Sequence, residues 1–242
     1  MTTTINKEEI QKFSKLADEW WEVNGKFKPL HMFNPIRIEY ITDKIKQHFK
    51  IKDSKSNFLN RLNILDIGCG GGLISEPMAR LGGSITGIDA SEKNIKVAKI
   101  HSQKSGLKIN YLNKSPEQLN DIEKFDIILN LEIVEHVDNV GLYIESCYKL
   151  LKKGGLMFTA TLNRSLISYL KAIIGAEYIL RWLPIGTHDW NKFLKPEELE
   201  KLLQDKKFST VDIKGLEFNP ILNKWKKSNN LSVNYIVSSS KS

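Results

Sequence analysis

From residue 61 onward, short apolar runs alternate with longer segments whose apolar residues recur at helical spacing. The runs Asn63–Ile67, Ser84–Ile88, Ile109–Asn113, Phe125–Leu129 and Leu156–Ala160 predict strands. Between them, Leu73–Leu81, Glu92–Ser105 and Val140–Leu151 predict helices. Alternation of this kind predicts α/β units around a parallel sheet. Two later runs, Ser209–Ile213 and Val233–Val237, predict an antiparallel edge. Upstream, Ile10, Phe13, Leu16, Ala17, Trp20 and Trp21 predict one amphipathic helix over 7–22. A loop holding Pro29 and Pro35, a second helix near Ile36–Phe49 and a polar linker over 50–60 follow. The pattern divides the chain into a helical cap (1–60), an α/β core (61–163), an apolar helical insert (164–190) and a segment completing the sheet (191–242).

Composition narrows the class. The chain has 242 residues, 41% hydrophobic and 26% charged, which suits one folded domain and argues against disorder. Two cysteines, Cys69 and Cys147, are too few for a disulfide framework or a cysteine zinc site and fit a reducing compartment. The first residues lack the apolar core of a signal peptide, and no run of 18 uncharged apolar residues occurs, so the expectation is a soluble cytoplasmic protein. The net charge is +8, but residues 61–163 hold twelve basic and twelve acidic groups, so the excess lies in the flanks. It is almost all lysine, 31 against 5 arginines, which gives little forked recognition of phosphate. The expectation is a solvated surface attracted to anionic membrane and no nucleic-acid partner.

The sharpest motif is Leu65-Asp-Ile-Gly-Cys-Gly-Gly-Gly72, a strand running into glycines and then a helix. Gly68, Gly70 and Gly72 let the backbone turn tightly and approach a ligand closely. The dinucleotide spacing G-x-G-x-x-G fails, because Leu73 stands where its last glycine belongs, and no Gly-Lys-Ser/Thr follows as a P-loop needs. An NAD-dependent dehydrogenase is thereby disfavoured. Asp89 ends the next strand, where an acid can accept bonds from both ribose hydroxyls of a nucleoside. A ligand with adenosine but no pyrophosphate fits, and S-adenosylmethionine is the candidate.

On these residues, 61–163 resemble the core of the class I S-adenosylmethionine-dependent methyltransferases. The resemblance implies a Rossmann-like seven-stranded sheet with helices on both faces. It also implies Leu131 at the cofactor, with Ser115 and Glu117 as secondary candidates beside the adenine. The flanks are more specific. Trp20-Trp21, Phe27-Lys-Pro-Leu-His31, Asn34-Pro-Ile-Arg37, Leu162-Asn-Arg164, Gly175-Ala-Glu-Tyr-Ile-Leu-Arg181, Gly186-Thr-His-Asp189 and Asn219-Pro220 resemble the ubiquinone-biosynthesis O-methyltransferases. That family implies polyprenyl catechol and demethylubiquinol acceptors, Arg37 as a partner of the methionine carboxylate, and association with other enzymes of the pathway. An RNA, a protein or another small molecule is the alternative acceptor.

Methylating a phenol at neutral pH requires removal of its proton, since its pKa lies near ~10. A histidine base or a divalent cation can do this. Leu131-Glu-Ile-Val-Glu-His136 follows the fourth strand, and a helical turn there would put Glu132, Glu135 and His136 on one face. His136 with Glu132 is the candidate catalytic pair; all three together are the candidate ligands for Mg²⁺ or Zn²⁺. Trp20 and Trp21 are expected either to shape the acceptor pocket or to pack in the core. His188 is a second-choice base. The apolar stretch Ser165–Pro184 is expected to be a lid that meets the bilayer through Trp182 and its apolar face.

Overall fold

The computed structural model describes residues 3–52, 57–120, 122, 124–170, 173–174, 189–219, 222 and 224–242. Eight strands form one sheet: β1 (Asn63–Ile67), β2 (Ser84–Asp89), β3 (Asn110–Asn113), β4 (Phe125–Leu131), β5 (Leu151–Leu162), β6 (Phe208–Asn219), β7 (Lys224–Ser228) and β8 (Asn234–Lys241). Their order is β3-β2-β1-β4-β5-β8-β6-β7. The first five pair in parallel, and β8, β6 and β7 add antiparallel. The expected α/β fold is present with one strand more than the seven expected. The extra strand, β7, reads Lys-Trp-Lys-Lys-Ser; its lysines hide the apolar pattern of a strand and suit an exposed edge.

Because helices cover both faces, the parallel strands are apolar on both sides. Leu65 and Ile67 of β1 join a cluster with Tyr143, Ile144 and Leu150 of the helix Val140–Leu150. Ile64, between them, joins the opposite cluster, with Phe33, Tyr40, Ile41 and Ile45. The chain order reverses between β1 and β4, so their carboxyl ends open a crevice, the usual ligand position in such sheets.

The N-terminal expectation needs correction. Residues 7–22 are not one helix: an α-helix covers Lys7–Ser14 and a 3₁₀ turn covers Ala17–Glu19. Nor is the Pro29–Pro35 region a loop. One helix runs from Lys28 to His48, with Pro29 in its first turn and Pro35 inside it. Pro29 costs little where the backbone N–H has no intrahelical partner. Pro35 forfeits one bond, and burial of Phe33, Asn34 and Arg37 around it offsets the loss.

Candidate functional site

A cavity of about 870 Å³ lies over the crevice, lined by residues from the N-terminal segment, the glycine loop, the ends of β2 and β4, and the β6–β7 hairpin. Asp66, Gly68, Cys69, Asp89, Ser91 and Asn94 line one end. Gly68 and Gly70 have φ of +67° and +52°, a region that excludes most side chains. A Cβ on Gly68 would stand 2.0 Å from Ile133 Cδ1, so the loop could not close against the end of β4. The Asp89 carboxylate accepts bonds from Gly70 N at 3.0 Å and Ser91 N at 2.7 Å, which fixes the loop against the acid. Burial raises the pKa of Asp89 in spite of these bonds.

Asp66 is the residue that sequence reasoning passed over, although it is the first acid of the glycine motif. It lines the cavity, is buried, and accepts a bond from Ser75 Oγ at 2.6 Å. Burial pushes its pKa up to about 7, against the opposing pull of Ser75 and Arg37. Arg37 is also buried and lines the same cavity. Its Nη1 pairs with Glu132 Oε1 at 3.3 Å, Nη2 donates to Asn34 Oδ1, and Nε has no partner among the described residues. Phe33 lies 4.4 Å from the guanidinium. Burial lowers the pKa of Arg37, opposed by Glu132, Asp66 and Glu135.

Leu131, the last residue of β4, lines the cavity, as do Glu132 and His136. The expected shared helical face does not form. Glu132 takes a left-handed conformation, φ +57°, with its N–H bonded to Ala160 O at 2.9 Å, and only Val134–His136 make a 3₁₀ turn. Among the described residues no three His, Cys, Asp or Glu side chains are grouped as a metal site would need. Glu135 is buried with neither carboxylate oxygen hydrogen-bonded among the described residues, and burial together with Glu132 holds its pKa well above the ordinary value.

His136 turns the other way. Its Nδ1 lies 3.0 Å from Glu9 Oε2, and Phe13 meets the ring edge-on at 5.3 Å. The bond to His136 holds the Glu9 pKa below its ordinary value, assisted by Lys12 and Lys192. An ionised carboxylate can only accept, so Nδ1 carries the hydrogen and Nε2 is the basic nitrogen. Nothing local in the sequence announces Glu9; it reaches the site from 127 positions away.

The remaining candidates separate. Ser115 is buried at the cavity wall. The Glu117 carboxylate accepts from Thr3 Oγ1, Thr4 N and Thr4 Oγ1 at 2.8–3.0 Å and ties the N-terminal segment down. Trp20 stacks on Phe27 at 3.8 Å and donates to Asn94 Oδ1. It covers the glycine loop so closely that a Cβ on Gly70 would come within 2.4 Å of its ring. Trp21 stacks on His101 at 3.4 Å and donates to Gly71 O. Both tryptophans brace the loop, and Trp20 also lines the cavity, together with Phe13, Phe27, Phe33, Phe218 and Trp225. Leu180, Trp182 and His188 lie outside the described residues, as does most of the expected lid.

Residues 65–159 match the methyltransferase domain family. A solved magnesium protoporphyrin IX methyltransferase from Synechocystis PCC 6803 with bound S-adenosylmethionine is similar at TM-score 0.63, with 16% identity and full coverage of both chains. A solved S-adenosylmethionine-dependent methyltransferase from Thermotoga maritima is similar at TM-score 0.61 and 18% identity, over 97% of this chain and 100% of that one. These likenesses establish the fold. Two relatives carry the name ubiquinone biosynthesis O-methyltransferase. The one from Pelagibacter ubique is 59% identical over 97% of both chains. That from Chelativorans is 52% identical over 97% of this chain and 93% of its own. At that identity over nearly the whole length, with the glycine loop, Asp89 and Arg37 gathered around one cavity, the chain belongs to the ubiquinone-biosynthesis O-methyltransferase family within the S-adenosylmethionine-dependent methyltransferases.

Proposed function

We propose that this chain transfers a methyl group from S-adenosylmethionine to the aromatic hydroxyl of a polyprenyl catechol or demethylubiquinol. The observation that carries this reading is the continuity of one cavity from Asp89 to Glu132 and His136. Asp89 suits the ribose hydroxyls, and the loop it anchors brings backbone close to the nucleoside. Asp66 and Arg37 offer opposite charges to the ammonium and carboxylate of the methionine part, each in a charge-assisted bond. When bound, the sulfonium supplies an electrophilic methyl group in line with the attacking oxygen. His136 takes the phenol proton on Nε2, and Glu9 holds the imidazole in that tautomer as a positioning residue.

Glu132 and Glu135 would offer a hard divalent cation two carboxylates, one of them buried and without a hydrogen-bond partner among the described residues, but no third acidic or imidazole side chain is grouped with them there. His136 keeps Nε2 free of the Glu9 bond, and that nitrogen is assigned to the proton rather than to a cation. Bound there, Mg²⁺ or Zn²⁺ would act as a Lewis acid toward catecholate oxygens. Labelled S-adenosylmethionine with a short-tailed demethylubiquinol and with unprenylated catechol tests the reaction. The expected result is label in the prenylated product; label in neither, with cofactor binding intact, turns the search to RNA or protein acceptors. The same assay after chelator treatment is expected to lose activity and regain it with added cation. Full activity after stripping assigns proton removal to His136 alone.

A membrane contact supports access for so apolar an acceptor. Leu166, Ile167 and Leu170, at the start of the insert, are 71%, 46% and 51% exposed. No helix among the described residues is long and apolar enough to cross a membrane. Exposed apolar side chains on a chain of net charge +8 suit shallow insertion into anionic lipid. Flotation with anionic liposomes is expected to carry the protein, and Leu166→Asp with Leu170→Asp to abolish this. Equal flotation of the double variant would refute the contact.

A further inference from the structure

The cavity extends to the β6–β7 hairpin, where Leu216, Phe218 and Trp225 line it alongside the polar Glu217, Asn219 and Lys226. Phe218 of β6 pairs in register with Trp225 of β7, their rings 5.6 Å apart. Trp225 in turn lies 4.2 Å from Phe33, whose ring also contacts the Arg37 guanidinium. Phe33 therefore divides the cavity wall: the charged cluster of Arg37 and Glu132 lies at its guanidinium side, and the aromatic hairpin continues past Trp225. Leu216 and Leu162 line the same cavity, and Leu170 links it to the exposed apolar residues of the insert.

We propose that the β6–β7 hairpin builds a subsite for the isoprenoid tail of the acceptor, its first units lying against Trp225 and Phe218. The inference rests on the proposed acceptor class. A reacting hydroxyl beside Glu132 and His136 leaves the polar end of the cavity to the ring. The tail must then depart along an apolar path to the surface. The path lined by Phe33, Phe218, Trp225, Leu216 and Leu162 to Leu170 offers one, and its flat rings suit the planar alkene units of an isoprenoid. The strand that supplies Trp225 is the one beyond the seven expected, so tail recognition sits on an addition to the catalytic sheet.

The experiment is calorimetric binding, to the full chain, of a catechol bearing two isoprene units and of unprenylated catechol, both in the presence of S-adenosylhomocysteine. The wild-type protein is expected to bind the prenylated ligand at least tenfold more tightly. Trp225→Ala is expected to erase most of that difference while unprenylated catechol and S-adenosylhomocysteine bind as before; Trp225→Phe is expected to retain it. If the alanine variant does not fold, Phe218→Leu serves the same comparison with a milder loss of ring surface. Equal weakening of both catechols, or an unchanged preference in a folded variant, would overturn the tail subsite. Equal wild-type affinity for the two ligands would overturn it while leaving methyl transfer to catechols standing. Failure to bind either, with S-adenosylhomocysteine bound, would remove the acceptor class and the subsite with it.

Discussion

Arg37→Ala is expected to cost about 3–5 kcal/mol of stability and to remove cofactor binding, because it strips a buried cation from its acidic partners. The guanidinium is buried, pairs with Glu132 at 3.3 Å and acts electrostatically on Asp66 and Glu135 as well. Truncation takes the compensating charge from each of these acids that stays ionised. The deficit is therefore expected to be largest above pH 7 and to shrink as pH falls through about 7, where Asp66 takes up its proton. Urea unfolding at pH 8 and pH 6 reads both effects. Pairing Arg37→Met with Glu132→Leu removes both charges in favour of apolar volume, and should recover much of the stability while leaving S-adenosylmethionine unbound. Melting of Arg37→Ala like the wild type at both pH values would show that the cluster is not held by this cation.

Cluster and fold were unequally legible in the sequence, for physical reasons. The strands β1, β2 and β4 were visible because burial on both faces demands runs of Ile and Leu, and the glycine loop because its backbone needs residues without Cβ. The helix Lys28–His48 was half hidden, since two prolines usually mean a break and only tertiary burial of Phe33 and Arg37 outweighs that signal. Strand β7 was hidden by its lysines, which an edge favours. The Glu132–His136 stretch was assigned a helical period, yet Glu132 adopts φ +57° and Glu9 draws His136 aside, neither of which spacing can reveal. The partners of Glu117, Thr3 and Thr4, are equally illegible in the sequence, because they come from the far N-terminal end of the chain.

Asp66 gives the second large effect, a pH-dependent affinity for the cofactor. Its ordinary pKa of 3.8 is raised to about 7 by burial. Since the folded pKa exceeds the unfolded one, protonation of Asp66 favours the native state. That contribution is full below about pH 4 and is lost as pH rises through about 7. Binding runs with the opposite sign. With the methionine ammonium against this carboxylate, as proposed, affinity should fall as pH drops below about 7, by up to tenfold per pH unit. Titrations between about pH 5.5 and 7.5 keep an α-amino group mainly charged, given its pKa near ~8, and so isolate the protein's own proton. The expected wild-type result is a weakening of roughly tenfold or more across that interval. Asp66→Asn should bind weakly throughout and without the slope, because an amide neither ionises nor attracts the cation. It should also be the more stable protein at pH 8, having no buried charge to hold there. A slope that survives in Asp66→Asn would transfer the effect to another group at the cavity. Asp89 is the next to test, because burial raises its pKa too while Gly70 and Ser91 hold it in place.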